Sequence, residues 1–310
     1  VRVDATPDVI ARVATIPGVD RVFLNNPIEL VAPVADQPDP QNDQPPGGGA
    51  TAGSTPEPGV EAVNAPEAWA LGFDGTGAVV AVVDTGVDGN HPSLADRWRG
   101  LDEAYAGNPQ WAWFDPYTNQ NDFPFDGGFS GHGTHVAGSV LGGAPGDAIG
   151  VAPGAQWIAA GSIDRGGGIS GTVADAIETF EWLIDPDGNP DTVFDVPDIV
   201  TNSWGLLESF GYPLCDDLFW SFTDALEFAG TIVIFAAGNE GASEIRRPAD
   251  RATNPYRTFA VGAVDGNSSG FPVAGFSARG PSFCTFDGGP AIKPEIAAPG
   301  VSVRSAEAGS

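Results

Sequence analysis

Unbroken apolar runs alternate along the chain with stretches whose apolar positions recur every three or four residues. Such runs are Ala78 to Val83 and Trp157 to Ala160, with further strand stretches at Asp198 to Thr201, Thr231 to Ala236 and Phe259 to Val264. They predict strands covered on both faces, as in parallel sheets. Between them, Val173, Ile177, Phe180 and Ile184 share a helical face behind a capping Ser170. Leu218, Phe219, Phe222 and Leu226 share another ahead of Gly230. Asn64 to Leu71 and Thr134 to Leu141 predict shorter helices. The alternation predicts an α/β fold, a doubly wound and mostly parallel sheet, in which ligands gather beyond the carboxyl ends of the strands.

Two regions precede this pattern. In residues 1–34, Thr6-Pro7-Asp8 opens a helix with the apolar face Val9, Ile10, Val13 and Ala14, and Val19 to Leu24 predicts a strand. One helix and one strand cannot bury a core, so this piece must pack on something else. Residues 35–59 turn to Pro, Gly, Gln and Asp, with Gln44-Pro45-Pro46-Gly47-Gly48-Gly49 at the centre, and predict an exposed linker open to cleavage. Residues 60–310 carry the α/β pattern.

Charge narrows the partners. With 41 acidic and 13 basic residues among 310, the net charge is −28. Nucleic acid and anionic membrane surfaces would be repelled, and no apolar run is long enough to insert in a bilayer as a helix. The chain opens on Val1 and has no Met, which predicts a piece of a longer product with any signal peptide upstream. Cys215 and Cys284 lie in turn-rich sequence. They form either one disulfide or two separate thiols, and their Gly/Pro-flanked settings favour the disulfide.

Candidate chemistry sits where the strands end. The first run closes on Val83-Asp84-Thr85-Gly86, a helix opens at Gly131-His132-Gly133-Thr134-His135, and the strand ending at Ala236 leads into Ala237-Gly238-Asn239-Glu240. A carboxylate, an imidazole and an amide at one rim could supply an orienting acid, a general base and a donor to an oxyanion.

These motifs, with Asn202-Ser203-Trp204-Gly205 between them, resemble in order those of the subtilisin-like serine proteases. Ala65-Pro66-Glu67-Ala68-Trp69 and Ile292-Lys293-Pro294-Glu295-Ile296 add features of the bacillopeptidase F type. The resemblance spans about residues 60 to 306 and implies a secreted, extracellular serine endopeptidase acting on proteins and peptides. By that resemblance Asp84 orients His132, His132 is the base, and Asn239 holds the oxyanion. Ser203, Trp204 and Gly205 pair with the substrate backbone opposite Gly166, Gly167 and Gly168. Ala236 and Gly238 line the pocket before the scissile bond, with Glu240 near its rim. Residues 1–34 are implied to be the end of the chain's own propeptide, an inhibitor. No cofactor is required for catalysis, and a structural calcium is implied without a location.

One departure matters. The family's serine lies in a Gly-Thr-Ser motif, and Gly309-Ser310 lacks the Thr. The expectation is a chain cut short of its nucleophile and inactive as it stands. The alternative is a non-catalytic protein that keeps the cleft to bind peptides.

Other readings are weaker. Asp84-Thr85-Gly86 matches an aspartic-protease tripeptide, but no second such tripeptide follows. His132 and His135 lack the acid of a zinc-hydrolase helix. Gly266-Asn267-Ser268-Ser269-Gly270 fits a nucleophile elbow by letter, yet no helix pattern follows the serine. Trp111-Ala112-Trp113-Phe114 predicts the cover of an insertion rather than a cleft floor. Asp185, Asp187, Asn189 and Asp191 alternate as calcium ligands do, but the glycine position and missing Glu favour a solvated acidic loop.

Overall fold

A computed structural model describes residues 4–32, 56–118, 120–127, 131–144, 147–164, 172–254 and 257–309. Seven parallel strands form the centre, in the order β11-β10-β9-β7-β2-β6-β3. They are β2 (Val79–Asp84), β3 (Trp113–Phe114), β6 (Gln156–Gly161), β7 (Ile199–Asn202), β9 (Ile232–Ala236), β10 (Phe259–Val264) and β11 (Ile296–Pro299). All six residues of β2 are buried, so both sheet faces are covered and the apolar run needs no alternation. The chain lays β6 on one side of β2 and β7 on the other. That reversal opens the crevice at the carboxyl end of β2.

The helices follow their patterns. Helix α4 (His132–Leu141) buries Ala137 and Leu141. Helix α5 (Val173–Ile184) buries Val173, Phe180 and Leu183. Helix α6 (Trp220–Ala229) ends at Gly230, whose φ of 104° provides the left-handed stop. Phe180, Trp204, Phe219 and Phe235 meet edge-on or tilted between these elements, which accounts for the aromatic residues at their facing positions.

Several expectations shift. Helix α5 is capped by Thr172 in a capping box with Asp175; Ser170 lies outside the described residues. Val19 to Leu24 is not a strand, because no described strand pairs with it. The N-terminal piece pairs instead through β1 (Glu29–Leu30), antiparallel to β8 (Trp204–Gly205). Helix α1 (Pro7–Val13) forms without a side-chain bond from Thr6. Glu57 is buried and caps α2 (Pro58–Ala62), accepting from the N–H groups of Gly59 and Val60, so the last residues of the expected linker belong to the folded body. Helix α3 (Ala65–Ala70) follows. A seventh strand, β11, was hidden because its four residues are partly exposed and carry no long apolar run. Trp113 in β3 is fully buried and donates its indole N–H to Gln120 O at 2.7 Å. The aromatic cluster is therefore edge-strand core. Strands β4 (Gly143–Ala144) and β5 (Asp147–Ala148) form a small hairpin after α4.

Candidate active site

Asp84 is the last residue of β2 and His132 the first of α4. Both are buried, and His132 Nδ1 lies 2.7 Å from Asp84 Oδ1. That oxygen also accepts from Thr85 N at 2.8 Å. The bond fixes the tautomer: with the proton on Nδ1 facing the carboxylate, the other ring nitrogen is left to act as base.

Local sequence explains how the ring is held. Gly131 precedes the helix with a φ of 67° and has no side chain to cap it. Asp126 from a preceding loop takes that role, its Oδ2 accepting from Thr134 N at 2.9 Å and Thr134 Oγ1 at 2.7 Å. Thr85 Oγ1 donates to Asp126 Oδ1 at 2.9 Å and accepts from Gly133 N at 2.8 Å, lacing the helix start to the end of β2. At Gly133 an added Cβ would stand 2.0 Å from Gly86 O and 3.1 Å from Asp84 Cβ. Both obstacles adjoin or belong to β2. Gly133→Ala is therefore expected to cost about 3 kcal/mol and to move His132 off Asp84. A fall in thermal midpoint together with loss of the Asp84-dependent shift of the His132 titration would verify it.

Burial by itself pushes the His132 pKa down. The Asp84 charge, its hydrogen bond, a hydrogen bond to the Val31 backbone and the Asp126 charge outweigh it, and the net shift is upward. Val31 belongs to the N-terminal piece. Its N–H donates to Ser203 O at 2.8 Å, continuing the pairing of Glu29 with Gly205 and Leu30 with Trp204. One residue on, Ala32 O accepts from Asn239 Nδ2 at 2.6 Å. An extended stretch of the chain thus lies on β8, with His132 and Asn239 each meeting its backbone.

Sequence reasoning missed Arg246. It is buried and donates through Nη1 to Glu29 O and Leu30 O at 3.0 and 2.9 Å. Its Nε and Nη2 both reach Glu240 Oε1, at 2.9 and 2.6 Å. The only signal was an arginine pair, Arg246-Arg247, close after Asn239 in a chain poor in basic residues. Glu240, expected near the pocket rim, is held there in an ion pair with Arg246 under the extended segment. Gly238 packs against it, since an added Cβ would meet Glu240 Oε2 at 2.3 Å and Arg246 Cγ at 2.9 Å. Ala236 ends β9 half-buried nearby. Gly166, Gly167 and Gly168 lie outside the described residues.

The other candidates fall elsewhere. His135 Nε2 meets Val303 O at 3.2 Å, and His91 Nδ1 accepts from Ser93 N at 3.2 Å. Ser268 donates to Asp265 Oδ2 at 2.6 Å within a turn. Cys215 and Cys284 form a disulfide, so their closeness to Asp250 is no thiolate metal site.

This arrangement has a known family. Residues 75–310 match the subtilase family, and the chain belongs to it. It is 37% identical over its whole length to Bacillopeptidase F of Bacillus subtilis, covering 20% of that protein. Over 80% of the chain it is 30% identical to Subtilisin E of Bacillus subtilis, covering 53% of it. Over 81% it is 32% identical to Subtilisin Savinase of Lederbergia lenta, covering 74%. The chain thus spans a fifth of the first relative and about half of the second.

Proposed function

We propose that this protein is a secreted serine endopeptidase working by a Ser-His-Asp mechanism, with the serine supplied by sequence following residue 310. His132 takes the proton from the serine hydroxyl as it attacks the peptide carbonyl, then returns it to the leaving amine. Asp84 holds the ring and stabilises the imidazolium. Asn239 donates to the oxyanion. Ser203 to Gly205 hold the substrate as an added strand. No cofactor enters these steps.

One observation carries the reading. An imidazole and a carboxamide from separate elements converge on neighbouring residues of an extended peptide, as they would on a substrate. The peptide is the chain's own Val31 and Ala32, which supports residues 1–34 as an inhibitory propeptide. The disulfide supports an oxidising, extracellular setting, and no helix among the described residues is long and apolar enough to cross a membrane. The test is to express the chain with its natural downstream sequence and measure hydrolysis of a general protein substrate. A folded, processed product without activity favours a peptide-binding protein instead.

The cleft contact has a pH consequence. With Nδ1–H donated to Asp84, a bond from the second nitrogen to the Val31 carbonyl requires the doubly protonated ring. Docking of the N-terminal piece thus favours the imidazolium, in line with the raised pKa. Affinity is highest below the free ring's pKa and falls as pH rises through the complexed value. A synthetic peptide of residues 1–34 is expected to inhibit the processed enzyme about tenfold less per pH unit in that window. A flat inhibition constant across neutral pH would contradict it. Arg246→Ala is expected to weaken the same peptide by about tenfold or more, since two charge-assisted bonds, one of them buried, are lost.

A further inference from the structure

The turn following α5 carries a feature unrelated to proteolysis. Asp185, the C-cap of α5, and Asp187 are joined by Asp195, which the sequence pattern did not include. One carboxylate oxygen from each lies within 4.8 Å of the others. Asp195 is fully buried. Its Oδ2 accepts from Asp187 N at 2.9 Å, while its Oδ1 is buried with no hydrogen-bond partner among the described residues. No described arginine or lysine forms an ion pair with any of the three.

Three carboxylates this close repel one another, and a buried carboxylate oxygen without a partner is costly. Helix α5 also points its negative end at them. A bound cation would offset both costs. The donors are all oxygens, which suits a hard dication and not zinc or copper. Carboxylates on an irregular turn suit the flexible oxygen shell of calcium better than the strict octahedron of magnesium.

We propose that Asp185, Asp187 and Asp195 form a calcium site that ties the end of α5 to the approach of β7. The bound ion neutralises the buried Asp195 oxygen and locks the turn. The other end of α5 receives the N-terminal piece, through Val173 N to Asn26 O at 3.1 Å and Ala174 N to Asn25 Oδ1 at 2.8 Å. The site therefore braces a helix that borders the cleft.

The test strips the chain with EGTA and titrates calcium chloride by calorimetry, with thermal midpoints in parallel. Asp195→Asn keeps the shape and removes a charge. Asp187→Asn does the same at a less buried position, and circular dichroism checks that each variant folds. The wild type is expected to bind one more calcium than either variant, or to bind it at least about tenfold tighter. Its midpoint is expected to rise more with calcium. Equal stoichiometry and affinity in wild type and both variants overturns the site. Equal affinity for magnesium chloride overturns the calcium assignment.

Discussion

Asp84→Asn in the full-length enzyme is expected to lower kcat by about 10⁴, with little change in KM. The magnitude is that known for the same change in a chymotrypsin-type site. The reason lies in the 2.7 Å contact between Asp84 Oδ1 and His132 Nδ1. An amide oriented to keep Thr85 N as its donor could still accept from the ring. Oriented the other way it donates to Nδ1, placing the ring proton on the nitrogen that must act as base. Even the good orientation lacks the charge that stabilises the imidazolium. Among the described residues Asp84 is buried with no ion-pair partner but that ring, so the substitution removes a buried charge and leaves stability nearly intact. Steady-state kinetics over a pH range checks this. A variant within tenfold of wild type would remove Asp84 from the mechanism.

The second large effect is on stability. Replacing Cys215 and Cys284 together by serine opens a loop of 69 residues in sequence separation. Loop-closure entropy assigns such a crosslink about 4 kcal/mol. The bridge joins the segment after β8 to the long connection between β10 and β11. Around it, Asp250 Oδ2 accepts from Cys215 N at 3.0 Å, and Arg247 Nε donates to Pro213 O at 3.0 Å. Arg246, adjacent in sequence, holds the peptide on β8. Loss of the bridge should therefore loosen the cleft as well as lower the melting temperature. The double variant is expected to unfold at clearly lower denaturant concentration and to bind the 1–34 peptide more weakly. Unchanged unfolding midpoints would contradict this.

Burial also leaves a mark on Asp250 itself. Its carboxyl is pushed up to about 6 by burial, against the Cys215 N–H and the Arg247 and Lys293 charges. Because the folded value is raised, the protonated form stabilises the fold. Its contribution declines as pH rises from the unfolded carboxylate range toward 6.

What the sequence reveals and what it hides follow physical lines. Asp84, His132 and Asn239 were legible because each closes or opens a strongly patterned element, and a parallel sheet must bring such ends to one rim. The close approach of Gly133 to Gly86 and Asp84 was not legible, since it depends on how the helix start packs on the end of β2. Arg246 was hidden, since its role comes from a loop folding under β8 and no periodicity reports that. Asp195 was hidden for the same reason. It completes an acidic group only when the turn doubles back on Asp187. Strand β11 escaped because its half-exposed residues carry no long apolar run. The N-terminal piece was seen to need a partner surface, but its register came from Glu29 and Leu30 rather than the apolar stretch before them.

The proposed mechanism requires that His132, held by the buried Asp84, activate a serine nucleophile. The direct probe is reaction of the full-length, processed enzyme with a serine-directed fluorophosphonate, followed by mass spectrometry. Rapid, stoichiometric labelling of one serine downstream of residue 310, slowed by several orders of magnitude in His132→Ala, is the expected result. Absence of labelling in the folded wild type, or equal labelling in the variant, would contradict it.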